Sequence, residues 1–182
     1  MHRLIESIEI MAPVEKVFEF ASDLERRLGL SPAFRLIGVD KLTDGEVRKG
    51  TRFRVKLEKE GELIEYETEV VGFKKNKKIV MQHAGGNLRV TLRLKRLDKH
   101  KTLYIHEEDF EIPDEILGVA DEKEEPGNVS IIVDIGRAIR DLAFMIYGDP
   151  EKIRRAEKIK SKLREDLKTW LKRIKEEIER GF

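Results

Sequence analysis

The 182-residue chain has no cysteine, which excludes disulfides, thiolate metal sites and cysteine nucleophiles. It has no excess of one charge: 37 Lys plus Arg stand against 36 Asp plus Glu. A protein that grips DNA or an anionic surface through a global field carries a net basic balance, and this chain does not. No run of about eighteen apolar residues is present, so no membrane span is expected. Glu6 and Glu9 interrupt the first apolar stretch, which does not read as a signal peptide. A soluble cytoplasmic protein is the simple expectation. Histidines stand only at 2, 83, 100 and 106, without the i,i+4 spacing of a helical zinc site, so no metal is expected. Gly85-Gly86 lacks the following Lys-Ser or Lys-Thr of a phosphate-binding loop and precedes a strand, so it reads as a turn. No cofactor is expected.

What is present is mixed charge, 40% of all residues, of the kind common in proteins from hot environments. It is distributed with period two. Phe53, Val55 and Leu57 alternate with Arg52, Arg54 and Lys56, and Ile64, Tyr66, Thr68 and Val70 alternate with Glu65, Glu67 and Glu69. Such alternation gives a strand one apolar and one charged face. Glu60-Gly61 suits a two-residue hairpin loop. Closing it pairs Lys59 with Glu62, Leu57 with Ile64, Val55 with Tyr66 and Phe53 with Thr68. Arg54 then stands opposite Glu67, and Lys56 opposite Glu65.

Further strands are expected over 3–10, 34–42, 79–84, 88–94 and 102–112. Ala12-Pro13 opens a helix carrying Val14, Val17, Phe18 and Ala21. Asp23 caps a second short helix that runs to about Leu28 and ends at Gly29. The inward face of strand 102–112 depends on the loop before it. A three- or five-residue loop turns Tyr104, His106, Glu108, Phe110 and Ile112 inward; a four-residue loop turns Leu103, Ile105, Glu107 and Asp109 inward. The first keeps more apolar residues inside and is preferred.

Residues 114–148 read as an insert or lid, with Ile131–Tyr147 the most apolar segment; it could cover a cavity mouth, pack in a core or sit at an interface. Asp149-Pro150 then starts a long helix to about residue 180. Its apolar positions Ile153, Ala156, Ile159, Leu163, Leu167, Trp170, Ile174 and Ile178 recur at threes and fours. A sheet with one wet face needs a cover for the other, and this helix is the candidate.

Particular motifs carry a resemblance. Ile8-Glu-Ile-Met-Ala-Pro-Val-Glu-Lys-Val-Phe-Glu-Phe20, Gly50-Thr-Arg-Phe53, Glu108-Asp-Phe-Glu-Ile-Pro113 and Ile135-Gly-Arg137 resemble the START-like, or SRPBCC, superfamily and its polyketide cyclase/dehydrase-like branch. The resemblance covers nearly the whole chain as a single domain. It implies an α+β helix-grip fold: a curved antiparallel sheet of about seven strands around a long C-terminal helix, with two short helices after the first strand. It also implies an apolar cavity between sheet and helix.

Three function classes follow. The leading one is binding or sequestration of a hydrophobic small molecule or lipid. Its expected wall is Phe53, Val55, Tyr66, Thr68, Val90, Leu92, Tyr104 and Phe110, faced by Leu163, Leu167, Trp170 and Leu171. His106, Glu108 and His83 would orient the ligand's polar end. The alternative for His83 is an exposed histidine beside a packed Tyr66. The second class is a cyclase- or dehydratase-type enzyme, with His106 and Glu108 two apart on one strand as base and orienting carboxylate. Against it stands a surface pair, or a buried pair satisfied by neighbours. The third is a protein or RNA interaction module, for which the basic loop Lys74–Lys78 and the segment 152–162 are candidates; acidic residues dilute the latter, favouring a solvated helix face. A homodimer is possible.

Overall fold

The computed structural model describes residues 2–59, 61–86, 88–110 and 150–181, with side chains of the last segment described from Ser161 onward. The expected lid or insert 114–148, the Asp149 cap and the apolar segment 131–147 lie outside the described residues. In chain order the elements are β1 (His2–Ile10), α1 (Val14–Ser22), α2 (Leu24–Leu28), β2 (Arg35–Lys41), β3 (Arg52–Lys59), β4 (Glu62–Lys74), β5 (Lys78–His83), β6 (Leu88–Asp98), β7 (Lys101–Phe110) and α3 (Pro150–Arg180). The strands form one antiparallel sheet in the order β1-β7-β6-β5-β4-β3-β2. Among the described residues the first strand thus pairs with the last, and β1 and β2 are the two edges of the sheet.

The β3–β4 hairpin has the expected register: Lys59 pairs with Glu62, Leu57 with Ile64, Val55 with Tyr66 and Phe53 with Thr68. Gly61 takes φ 86° in the turn, a conformation that costs glycine nothing. On the outer face Arg54 donates to Glu67 at 2.8 Å and Lys56 lies 3.8 Å from Glu65. The described strands depart from plain alternation at three bulges, between Leu36 and Gly38 on β2, between Val70 and Gly72 on β4 and between Arg96 and Asp98 on β6. The second one shifts β4 by a residue and carries it on to Lys74, so Phe73 pairs with Ile79 and meets Phe18 of α1 edge-on at 5.3 Å.

Helices α1 and α2 close one end of the concave face. Val14, Val17, Phe18, Phe20 and Ala21 of α1 are buried. In α2 the Asp23 side chain accepts from the Arg26 amide at 3.0 Å, capping the helix as its position predicts. Helix α3 lies against the concave face through buried Leu167, Trp170, Leu171, Ile174 and Ile178. Polar ties fix it at both ends: Arg164 to Glu6 at 3.2 Å, Lys175 donating to the Glu9 carbonyl at 2.8 Å, and Glu179 accepting from the Met11 amide at 2.6 Å.

Candidate functional site

The β6–β7 register decides which way the candidate chemistry points. Arg96 pairs with Thr102, Leu94 with Tyr104, Leu92 with His106, Val90 with Glu108 and Leu88 with Phe110. His106 and Glu108 therefore share the concave face with Leu92 and Val90, the preferred orientation; the turn from Asp98 to Lys101 holds two residues, and the bulge between Arg96 and Asp98 supplies the odd step. The competing register is also disfavoured electrostatically. Glu107 and Asp109 lie on the other face among arginines. Asp109 accepts from Arg3 at 2.6 Å, and Glu107 stands 2.9 Å from Arg93 in an ion pair that lacks hydrogen-bond alignment.

On the concave face His106 is fully buried, and its Nε2 lies 2.8 Å from Oε1 of Glu108. Its ring packs against Trp170 at 5.3 Å. Trp170 donates from Nε1 to the Arg27 carbonyl at 2.8 Å, joining α3 to α2. His83 is buried and stacks on Tyr66 at 4.3 Å with the planes 18° apart; it is not the exposed histidine beside a packed Tyr66 of the alternative reading. Phe53, Val55, Thr68, Leu92, Tyr104, Leu167 and Trp170 are all buried around this cluster, while Tyr66, Val90 and Phe110 are half-buried. Leu163, one turn before Leu167, is exposed on α3.

Arg27 was not among the expected site residues. It is 2% exposed, and its Nη2 donates to the Met81 sulfur at 3.1 Å while Nε has no partner. Among the described residues it has no ion pair. The Tyr104 hydroxyl lies beside the guanidinium and feels its charge, without the alignment of a hydrogen bond. A signal was present in the sequence: Leu24, Arg27 and Leu28 stand at helical spacing, which puts Arg27 on the buried face of α2.

These charges set one another's titration. Burial drives the Glu108 carboxyl up, but the His106 hydrogen bond and charge, with Arg27 and His83, outweigh burial and hold it below the usual carboxylate range. Burial lowers His83 to about 4, against the pull of Glu108. Burial likewise raises the Tyr66 and Tyr104 phenols, with Arg27 opposing both. The arrangement offers an ionised carboxylate and aromatic faces on a concave, otherwise apolar wall. Among the described residues no group of His, Asp and Glu is placed to hold a metal ion, and no helix is long and apolar enough to cross a membrane.

Solved structures match this architecture over nearly its whole length. An aromatase/cyclase from Streptomyces sp. R1128 superposes with a TM-score of 0.60 at 16% identity, covering 98% of this chain and 94% of that one. A START superfamily protein from Mycobacterium smegmatis gives 0.56 at 16% identity, covering 97% and 99%. The fold is START-like. A polyketide cyclase-like protein from Corynebacterium glutamicum gives 0.55 at 17% identity, covering 98% of this chain and 94% of that one. No family model matches the chain, and no curated protein matches it. At these identities the START-like likeness speaks for the fold, and any activity has to be argued from the site.

Proposed function

We propose that the protein binds a hydrophobic small molecule or lipid between the concave sheet face and α3. One observation supports this most directly: burial on the inward face is uneven along β6 and β7. Leu92, Leu94, Tyr104 and His106 are packed out of solvent beneath α3, whereas Leu88, Val90, Glu108 and Phe110, further along the same rows, are half-buried. Tyr66 on β4 and Leu4 on β1 are half-buried too. A wall of this composition, apolar with a few placed polar groups, is what small-molecule sites require. The driving force is apolar burial, at about 25 cal/mol per Å² before ordering costs.

The test uses Trp170, the only tryptophan, which touches the cluster through His106. Titration with 2-naphthol and with 1-decanol is expected to change its emission saturably. Val90→Phe, which thickens the wall where it is accessible, is expected to weaken both by about tenfold. Absence of saturation with either probe, together with no bound molecule in the native mass spectrum of freshly isolated protein, overturns the proposal.

The 2.8 Å pair of His106 and Glu108 supports a second reading, a cyclase- or dehydratase-type enzyme in the same cup. The accessible carboxylate would move the proton and the buried imidazole would hold it in place. A turnover that continued unchanged in Glu108→Gln would exclude this reading.

A further inference from the structure

Charge on the outer sheet face is often neutralised locally, as Arg54 is by Glu67 and Arg93 by Glu107. One end of the sheet departs from this. The β4–β5 turn carries Lys74, Lys75, Lys77 and Lys78, all exposed. The Lys77 amide donates to the Lys74 carbonyl at 2.9 Å and Asn76 takes φ 58°, so the turn is tight. Its register sets Lys74 directly opposite Lys78, and Lys78 opposite Arg93. Like charges across a ladder oppose folding. The Leu94 amide donates to the Lys77 carbonyl at 2.8 Å, which seats the turn beside the last part of β6, where Lys95 and then Lys99 are exposed. Among the described residues none of these lysines has an ion pair. Glu9 and Glu15, which reach this end from β1 and α1, are held by Lys101 and Arg96. Two apolar side chains join the cations. The bulge between Arg96 and Asp98 leaves Leu97 without a cross-strand partner, and it is 41% exposed. Met11, just past the end of β1, is 54% exposed. Ile10 and Arg96 both pair with Thr102 of β7, so Met11 and Leu97 stand at the same end as the lysine turn.

We infer that this end of the sheet docks on an anionic phospholipid surface. The lysines meet the charged headgroups, and Leu97 and Met11 enter the headgroup layer. A net charge near zero does not oppose this, because salt screens exposed charges beyond roughly 10 Å and leaves the local cluster to act alone. A nucleic acid would use the lysines but not the two apolar side chains. Among the described residues the exposed large apolar side chains include no aromatic to stack unpaired bases. This docking is independent of what the cup holds. Leu88 and Phe110, the half-buried part of the candidate wall, lie at the other end of β6 and β7, so a docked molecule holds that part away from the bilayer.

Co-sedimentation of the full chain with vesicles tests this. Vesicles of phosphatidylcholine with phosphatidylserine are expected to bind it at least about tenfold more tightly than vesicles of phosphatidylcholine alone, at about 0.1 M salt, and to release it as salt rises. Each lysine at an anionic leaflet strengthens binding about fivefold. Lys74→Gln, Lys75→Gln, Lys77→Gln and Lys78→Gln made together are therefore expected to weaken it by at least about tenfold. Leu97→Gln, which leaves the charge unchanged, is expected to weaken it about threefold. Both variants are expected to keep the native circular dichroism spectrum and the response to 2-naphthol, because the altered side chains are exposed and lie off the cup. Equal binding to the two kinds of vesicle, or none to either, overturns the inference. So does a phosphatidylserine preference that survives the four lysine changes, or vesicle binding indifferent to Leu97→Gln. Tighter binding to an RNA duplex than to the anionic vesicles, at equal phosphate concentration, overturns it in favour of a nucleic-acid surface.

Discussion

His83 is a base buried in its neutral form, and its stability cost appears on the acid side. Its pKa of about 4 in the folded protein lies below the ordinary histidine value near 6.5. Between those limits the unfolded chain binds the extra proton, so folding free energy rises with pH through that window. Stability from this group is complete above about pH 6.5 and is lost as pH falls toward 4, by roughly 3 kcal/mol. His83→Gln is expected to flatten urea-unfolding midpoints across this interval; an unchanged slope would show that His83 is not the group responsible. Glu108 acts in a lower window. Its depressed carboxyl stabilises above the normal carboxylate range and loses that contribution only as pH drops through its own lowered value. At this scale the sequence was legible where a residue's face followed from strand alternation, as for Tyr66, His106 and Glu108. It was less so for Arg27, because a charged side chain in a five-residue helix reads as solvent-exposed unless its apolar neighbours at i−3 and i+1 are weighed first.

At the scale of elements, the β3–β4 hairpin was legible in full because turn chemistry, apolar alternation and cross-strand charge all selected one register. The bulges were not, since each is one unpaired residue that leaves the apolar pattern on either side intact. Gly72 shows what the β4 bulge demands. A Cβ there would stand 3.0 Å from Val80 Cγ2 and 3.2 Å from Val80 Cβ. Val80 is β-branched, buried and on the neighbouring strand, so it has little room to yield. Gly72→Ala is expected to cost about 1–3 kcal/mol, measured by chemical unfolding. Combined with Val80→Ala it should cost clearly less than the sum of the two single changes. Strict additivity would place the strain elsewhere. The β6–β7 turn belongs to this scale too: the preferred register is the one found, but it is reached through a two-residue turn and a bulge between Arg96 and Asp98 rather than an odd-length loop, and the Arg3 and Arg93 partners of Asp109 and Glu107 supply a reason that apolar counting did not use.

For the whole molecule, the helix-grip order was readable from the succession of periods along the chain, two in the strands and three to four in α3. What periodicity could not convey is how far α3 packs along the cup, which depends on how Leu167, Trp170 and Leu171 meet side chains from distant strands. Closure is the long-range step. Ile10, fully buried, sits on β1 opposite Thr102 of β7, and the Thr102 hydroxyl donates to the Ala12 carbonyl at 2.8 Å. Pairing strands so far apart in sequence is slow. Contacts made late in folding change unfolding rates more than folding rates. Ile10→Ala is expected to destabilise by about 2–5 kcal/mol, chiefly through faster unfolding in stopped-flow kinetics. A change confined to the folding limb would mean that β1 joins early. At the opposite margin of the sheet, β2 has no strand partner on its outer side among the described residues, and such an edge is the usual template for sticking to a second chain. Its bulge between Leu36 and Gly38 puts the edge out of step, and Arg35, Asp40 and Lys41 line it with charge of both signs. An incoming strand would find no continuous run of matching groups, so the open sheet protects itself against runaway aggregation despite the exposed Ile37.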